Sequence, residues 1–136
     1  MIALLVRGMA VWRRNWNRRD KMYKILEAKE LAANIYLMVV EAKRVAKKCL
    51  PGQFIIVRMD EEGERIPLTI CDYNREDGTV TIVFQTVGAE TKRMAGLKAG
   101  DSFHDFVGPL GCPSEFVSEP AEALKKKNML FVAGGV

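Results

Sequence analysis

Short apolar runs separated by turn-forming residues are the feature that most constrains how this chain can fold. Six runs have the length and residue types of β-strands, at residues 23–27, 35–40, 53–59, 67–71, 79–85 and 102–107. Pro51-Gly52, Asp77-Gly78 and Ala99-Gly100-Asp101 supply turn signals between them. Short antiparallel strands at this spacing favour a closed barrel or a sandwich, because closure removes exposed strand edges.

One globular core is the most that length and composition allow. The chain has 136 residues, of which 49% are hydrophobic and 28% charged, enough for a single domain with extensions. Residues 1–21 hold both tryptophans and a net charge of +5, whereas the remainder has a net charge of −1. We expect 1–21 to be a disordered extension or an overlong translation start, with a basic membrane-surface anchor as the alternative. Its apolar run is too short to span a membrane.

Three cysteines stand at widely separated positions, Cys49, Cys71 and Cys112. Their odd number and their spacing argue against a disulfide framework, a zinc site or an iron–sulfur cluster built from this chain alone. We therefore expect no metal site, and a reducing, cytoplasmic environment.

The segment from Arg65 to Ile70 lies between two strand-like runs and combines a cation, a proline and a hydroxyl. An arginine binds phosphate with a planar fork of donors, Pro67 fixes the backbone locally, and Thr69 offers one hydroxyl to a polar ring. The segment therefore suits a phosphorylated ligand that carries a ring. The plainer interpretation is that Arg65 is a solvated residue at the edge of a strand.

A second candidate site follows the fifth strand-like run. That run continues through Gly88 into a predicted helix at 89–97, whose first turn contains Thr91. The N–H groups at such a helix start, with the Thr91 hydroxyl, form an anion site that suits a diphosphate. Strand–glycine–helix junctions also occur for purely structural reasons.

The last part of the chain has a different character. Residues 120–127 predict a short helix, and 128–133 predict an apolar strand that runs into Gly134 and Gly135. A buried strand followed by a glycine turn is how a nucleotide-binding α/β unit begins. We therefore expect a barrel domain at 22–119 and the truncated beginning of a nucleotide-binding domain at 120–136.

Taken in order, these features resemble the ferredoxin–NADP reductase superfamily: the barrel pattern, the Arg65 segment, the helix start after Gly88, the Gly108-Pro109-Leu110-Gly111 loop and the final glycines. The resemblance covers residues 22–136. It is greatest to the small subunit of NADH-dependent ferredoxin:NADP oxidoreductase, also known as a sulfide dehydrogenase subunit, and to the related electron-transfer subunit of dihydroorotate dehydrogenase. It implies an all-β fold, a six-stranded antiparallel Greek-key barrel that carries FAD, followed by an NAD(P)-binding α/β domain and a C-terminal [2Fe-2S] centre.

The resemblance also implies a function and its site. The function is flavin-dependent electron transfer between NAD(P)H and ferredoxin, with a larger flavin and iron–sulfur subunit as partner and no catalytic side chain of the chain's own. The cofactor-binding residues that it implies are Arg65, Pro67, Leu68 and Thr69 along the flavin and its phosphates, Val83, Phe84 and Gln85 at the ribityl and adenine side, Gly88 and Thr91 at the diphosphate, and Gly134 and Gly135 at the nucleotide-binding turn. Thr69 is expected nearest the reactive ring.

The chain departs from the family pattern in two ways. The nicotinamide domain and the cluster cysteines are absent, so NAD(P) and [2Fe-2S] are expected only in a full-length chain, and full turnover is not expected of this one. Pro67-Leu68 stands where plant-type members place an aromatic residue against the flavin, which fits bacterial and archaeal electron-transfer subunits better. The alternatives are the dihydroorotate dehydrogenase subunit and a cofactor-free small barrel that binds nucleic acid or protein. Sparse aromatics and a net charge of −1 outside 1–21 count against nucleic acid.

Four further features have plain interpretations. We expect His104 to be a packed or surface residue instead of a proton donor beside the flavin, and Cys71 to be a small buried hydrophobe. Lys125-Lys126-Lys127 complements the dipole of a helix end, with steering of an acidic partner as the alternative. The acidic residues 60–64 are a solvated hairpin tip, whose charge we expect to hold Arg65 until phosphate displaces it.

Overall fold

The computed structural model describes residues 23–130 and 132–134. The extension predicted at 1–21 and the second terminal glycine, Gly135, lie outside the described residues. Within the described ranges, no helix has the length and hydropathy needed to cross a membrane.

The described chain is mostly β-structure and forms seven strands where six were predicted. The strands are β1 (Tyr23–Ala32), β2 (Ile35–Glu41), β3 (Phe54–Arg58), β4 (Ile66–Asn74), β5 (Thr79–Gln85), β6 (Ser102–Phe103) and β7 (Asp105–Leu110). The first and fourth are several residues longer than predicted, because hairpin pairing continues into polar residues that the apolar pattern does not include. The all-β fold class is confirmed.

The strands form one antiparallel sheet that almost closes on itself. The order is β6-β1-β2-β5-β4-β3-β7, and its two end strands are consecutive in the chain, separated only by His104. The prediction of one strand at 102–107 was therefore wrong. The segment pairs first with β1 and then with β3, and the His104 N–H donates to the Arg58 carbonyl (2.9 Å) at the crossing. This passage from one edge of the sheet to the other closes the barrel.

The turn between β4 and β5 depends on a glycine. Gly78 has φ +70° and is buried, and a Cβ at this position would lie 2.4 Å from Lys43 Cγ and 3.1 Å from Lys43 Cα. A side chain here would be strained by the backbone conformation and would also collide with the neighbouring segment. The Asp77-Gly78 turn signal is thus explained by both constraints.

The helices are short and lie in the connections. They are α1 (Lys43–Ala46), α2 (Ala89–Ala95), a 3₁₀ turn (Glu115–Ser118) and α3 (Ala121–Leu124). The helix predicted at 89–97 ends two residues early, because Gly96 and Leu97 bond to carbonyls three residues back in a tighter turn. The helix predicted at 120–127 likewise ends at Leu124, and α1 was not predicted.

The strand predicted at 128–133 was wrong. No strand is present in the described residues 128–130 and 132–134, and Leu130 and Val132 are 88% and 87% exposed. A strand forms only beside a neighbour that accepts its backbone hydrogen bonds. Because the described strands all pair within the barrel, the apolar pattern alone does not order this segment as a strand.

The core fills the barrel with side chains from all its walls. From β4 it includes Ile70. Its largest fully buried members come from the other six strands, from α2 and from the segment after α1: Ile25, Met38, Val40, Cys49, Ile55, Val57, Val80, Ile82, Met94, Phe103 and Phe106. Phe103 and Phe106 flank the break at His104, with ring centroids 6.2 Å apart. The strands on both sides of the closure are thus anchored in the same core.

We expect Phe106→Ala to lower the free energy of unfolding by about 3–5 kcal/mol, because it removes a buried aromatic ring and leaves a cavity. Its neighbour Val107 is 48% exposed and points to the other face of the same strand. Val107→Ala is therefore the matched control, with an expected loss of at most about 1 kcal/mol. Urea denaturation followed by circular dichroism measures both. Equal losses would show that the ring at the barrel closure does not anchor the fold.

Candidate functional site

The candidate site is a gap in the sheet where β4 and β5 separate. Their register runs from Asn74↔Thr79 to Ile70↔Ile82 and ends there among the described pairs. Beyond that point residues 66–69 pair with β3, and residues 83–85 pair with β2. We call this opening the β4–β5 gap: Pro67, Leu68 and Thr69 lie on one side, and Val83, Phe84 and Gln85 lie on the other. Six predicted site residues are thus brought together.

Alternation along each strand divides these six residues between two faces. Pro67 and Thr69 are exposed, whereas Leu68 packs against the core. On β5, Val83 and Gln85 point outward, whereas Phe84 is 2% exposed and stacks with Tyr36 on β2. A ligand outside the barrel therefore meets side chains 67, 69, 83 and 85. It reaches only the backbone of Leu68 and Phe84.

The backbone of Thr69 points into the gap. The Ile70 N–H donates to the Gln53 carbonyl of the β3 side (3.1 Å), so Thr69 and its partner Phe54 form a pair without mutual hydrogen bonds. The Thr69 N–H then points away from β3, toward β5. Pro67, which has the same orientation two residues earlier, has no N–H. The edge of β4 that faces the gap thus offers one N–H group, that of Thr69, which lies beside the Thr69 hydroxyl and suits a polar ring.

The loop into α2 is shaped by the Thr91 hydroxyl. This oxygen accepts hydrogen bonds from the Val87 N–H (2.9 Å) and the Gly88 N–H (3.0 Å), and it donates to the Gly88 carbonyl (3.1 Å). A hydroxyl has one donor and two acceptor sites, so Thr91 is fully used inside the protein. Its role here is to hold the loop, and the direct phosphate contact predicted for it would require one of these bonds to break.

Gly88 is not required by the packing of this chain. Its φ of −144° is an extended conformation that any residue adopts, and a Cβ at this position would meet no described atom within 4 Å. The open space lies directly before the first turn of α2. The absence of a side chain there leaves room for a ligand to approach the backbone.

Arg65 directly precedes β4, two residues before Pro67. It is 66% exposed, and its Nη2 lies 3.9 Å from Asp105 Oδ2 on β7. The prediction that the acidic hairpin tip holds Arg65 stays a prediction. Asp60 of the tip forms an ion pair with Arg93 on α2. Asp105, which the sequence analysis did not single out, is the carboxylate beside Arg65.

The hairpin tip and α2 enclose an acidic cavity. Its walls are Asp60, Glu61, Glu62, Gly63, Glu64, Glu90 and Arg93. The Arg93 guanidinium, with the Gly63 and Glu62 N–H groups, holds the pKa of Asp60 below its ordinary value. Five carboxylates against one guanidinium make this cavity unfavourable for a diphosphate. The cavity is therefore not the candidate anion site.

The remaining candidates lie away from a catalytic arrangement. His104 is partly exposed, and its Nδ1 is 3.2 Å from Asp105 Oδ1 and 3.4 Å from Arg58 Nη2, within an ionic cluster on the outer face of β3 and β7. Cys71 is exposed at the bulge of β4, so the prediction of a buried residue was wrong, and Cys49 is the buried thiol. Burial raises the pKa of the Cys49 thiol.

At the C-terminal end, the structure describes only some of the residues for which predictions were made. Lys125 and Lys127 form local ion pairs with Glu122 (2.8 Å) and Glu119 (2.5 Å), which agrees with a solvated helix end. Gly134 is exposed and a Cβ there would meet no described atom within 4 Å. Its assignment to a nucleotide-binding turn stays a prediction.

The structure adds one residue that the sequence analysis missed. Phe54 faces Thr69 across the β3–β4 pair, so the two side chains share the outer face with Cα atoms about 4.5 Å apart. A Cβ at Gly111 would lie 3.0 Å from the Phe54 ring, which places the loop after β7 beside it. Alternation along 53–59 indicates that Phe54 points outward. That Thr69 lies opposite it is known only from the register of β3 with β4.

Comparison with known proteins identifies the class of fold. A solved NADH-dependent reduced ferredoxin-NADP oxidoreductase, studied for flavin-based electron bifurcation, matches 69% of this chain and 34% of its own at a TM-score of 0.68 and 38% identity. An Amycolatopsis cytochrome P450 reductase shares the fold at a TM-score of 0.55 and 22% identity, over 67% of this chain and 28% of its own. The barrel is of the reductase type. No protein-family model matches the chain.

Sequence relatives agree with the fold. A Clostridium beijerinckii protein, described as an uncharacterized protein in the adh 3′ region, is 65% identical over 85% of this chain and 39% of its own. A Thermotoga maritima dihydroorotate dehydrogenase B (NAD(+)) electron transfer subunit homolog is 37% identical over 83% of this chain and 38% of its own. The chain thus spans less than half the length of these relatives. The described barrel has the fold of the ferredoxin–NADP reductase superfamily, and the chain is similar in sequence to its members.

We expect Arg93→Gln to raise the pKa of Asp60, because the side-chain hydrogen bond from Arg93 is the main cause that lowers it. A carboxyl with a lowered folded-state pKa contributes stability above its unfolded-state pKa, and loses it as the pH falls through the folded-state value. The loss therefore lies at acidic pH. NMR titration of the Asp60 carboxyl carbon measures the shift, with Arg44→Gln on exposed α1 as control. An unmoved Asp60 pKa would rule out this ion pair.

Proposed function

We propose that this barrel binds FAD and serves as the flavin-binding part of an oxidoreductase that passes electrons between NAD(P)H and ferredoxin or another iron–sulfur partner. The observation that carries the proposal is the β4–β5 gap. Two segments that are far apart in the sequence, 67–69 and 83–85, border this gap, and side chains 67, 69, 83 and 85 point outward. Arg65 precedes the first segment and the helix start at Gly88 follows the second, so one elongated ligand could touch all four.

The residues present fit the proposed cofactor. The Thr69 N–H and hydroxyl are a polar edge suited to the heteroatoms of a flavin ring, and Pro67 and Phe54 supply apolar surface beside it. The exposed Arg65 guanidinium suits a phosphate. The open space before α2 admits a diphosphate close to backbone N–H groups.

When bound, FAD would supply the electron chemistry, which none of the side chains at the gap can perform. The chain's own part is to bind and orient it. Two strand rims fix the position of the ring, while Arg65 and the loop at Gly88 fix the phosphates. Rigid strands are well suited to this task, because their backbone donors are already ordered before the ligand arrives.

The activity of the whole protein goes beyond the barrel. We propose that NAD(P) and a [2Fe-2S] centre belong to a longer chain, in which Gly134 and Gly135 begin the nucleotide-binding turn. A larger flavin and iron–sulfur subunit and ferredoxin are the proposed partners, and the cytoplasm is the proposed location, in agreement with three free cysteines. The solved relative of 38% identity is itself named for NADH, ferredoxin and NADP.

A second candidate is the electron-transfer subunit of dihydroorotate dehydrogenase. The names of several sequence relatives favour it, including a Shouchella clausii subunit that is 36% identical over 82% of this chain. The two candidates share the flavin barrel and differ in the partner subunit. Binding of FAD therefore tests what they have in common. A folded chain without flavin affinity would instead favour the cofactor-free binding barrel.

We expect the purified chain to bind FAD saturably and in preference to FMN, and we expect Arg65→Ala to weaken FAD binding by about 1.5–3 kcal/mol, the range of a charge-assisted hydrogen bond. Quenching of FAD fluorescence measures both. Arg44→Ala removes the same charge from exposed α1 and should leave the affinity unchanged. Equal affinities of wild type and Arg65→Ala would remove Arg65 from the site.

Gly88→Ala tests the diphosphate end separately. The added methyl meets no described atom of the protein and the backbone is unstrained, so thermal stability should change by no more than about 0.5 kcal/mol. FAD affinity should fall by about 1–3 kcal/mol if phosphate packs against this backbone, on the scale of an overpacked contact. Gly96→Ala, at the other end of α2, is the control for FAD affinity; its methyl would lie 3.2 Å from the Arg93 carbonyl oxygen, so its thermal stability is measured as well. A variant that binds FAD normally would place the diphosphate elsewhere.

A further inference from the structure

One carboxylate on the outer face is shared between two arginines. Asp105 Oδ2 lies 2.8 Å from Arg58 Nη2 and 3.9 Å from Arg65 Nη2. Arg58 is mostly buried and also donates from Nη1 to the Glu61 carbonyl (3.0 Å), whereas the Arg65 side chain is 66% exposed. The contact with Arg58 is therefore tight and fixed, and the contact with Arg65 is loose.

The position of Asp105 in the sheet gives the loose contact a direction. β7 pairs with β3 on the side away from β4, so Asp105 lies two strands from Arg65. The β4–β5 gap lies on the opposite side of β4, and Gly88 follows the end of β5. Asp105 therefore attracts the Arg65 guanidinium away from the place where the proposed diphosphate would bind.

The charged groups around Asp105 define how strong this attraction is. The Arg58 guanidinium faces one carboxylate oxygen, and the His104 ring faces the other, with Nδ1 at 3.2 Å from Oδ1. The Glu61 carboxylate lies beyond His104, 3.8 Å from its Nε2. Arg58 neutralises much of the Asp105 charge, which leaves a weak attraction for Arg65.

We propose that Asp105 is a positioning residue that competes with the diphosphate of the ligand for Arg65, and that Arg58 limits this competition by neutralising Asp105. The inference rests on the proposed function, because it assigns Arg65 to phosphate. The predicted change in ligand affinity on removal of Asp105 is opposite in sign to the usual one. Removal of a carboxylate that merely supports the fold weakens a nearby site, whereas removal of a competitor strengthens it.

The expected effect is small, because an exposed pair of this kind is weak. Asp105→Asn should tighten FAD binding about 2–5-fold at low ionic strength, the range measured for exposed ion pairs. The gain should shrink at high salt, since exposed charges are screened, and it should vanish in an Arg65→Ala background. Arg58→Gln should act in the opposite direction and weaken binding, because the full Asp105 charge then acts on Arg65.

The experiment measures FAD binding by fluorescence quenching for these variants, with Glu30→Gln on β1 and Arg44→Gln on α1 as charge-matched controls. A second readout does not need the ligand: the rate of Arg65 modification by phenylglyoxal, followed by peptide mass spectrometry. This rate should rise about 2–5-fold in Asp105→Asn, because a released guanidinium is more reactive. Thermal unfolding shows which variants are folded.

The outcomes separate this inference from the proposed function. If wild type binds no FAD, the proposed function is wrong. The inference about Asp105 is then wrong as well, whatever the rate of Arg65 modification by phenylglyoxal. If wild type binds FAD but folded Asp105→Asn binds it equally or more weakly, Asp105 is not a competitor. Should Asp105→Asn fail to fold, Arg58→Gln decides: unchanged or tighter binding overturns the inference. A gain that persists in the Arg65→Ala background would show that Asp105 acts on the ligand without Arg65.

Discussion

The division of β4 between two neighbours is the constraint on which the candidate site depends. A strand has two edges, and β4 uses one of them at Ile66 to Thr69, toward β3, and the other from Ile70 to Asn74, toward β5. The bulge at Cys71 falls where the partner changes. Bulges bend and twist a strand, so β4 turns away from β5 and its rim is left facing solvent. The gap is thus a product of the pairing itself and needs no inserted loop.

The closure of the barrel on the opposite side of β4 completes this arrangement. The chain crosses from β1 to β3 at His104, and the crossing places Asp105 beside Arg58. One side of β4 therefore carries an ionic cluster, and the other carries the open gap. Arg65, at the start of β4, lies between the two. The same residues that close the barrel consequently set the electrostatic field around Arg65.

Local patterns predicted most of the fold but not its long-range contacts. Apolar runs between turn signals located all the strands through β5. They could not show the break at His104 or the neighbour of Phe54, because both depend on register between segments far apart in the sequence. The contact of Arg65 with Asp105 was not predicted for the same reason. Asp105 is 40 residues away in the sequence, and the pairing of β3 with β7 brings it close to Arg65.

The distribution of charge indicates how such a barrel would recognise a diphosphate. The cavity beside α2 is lined by carboxylates. The Thr91 hydroxyl forms all its hydrogen bonds with the backbone of its own loop. In the proposed site, the anion is recognised by Arg65 and by backbone N–H groups, whose direction is fixed by the fold. Fixed backbone donors need no reordering on binding, whereas a long exposed side chain does. Arg65 is therefore the adjustable part of an otherwise rigid site, and its position is the part most open to control by a neighbouring charge.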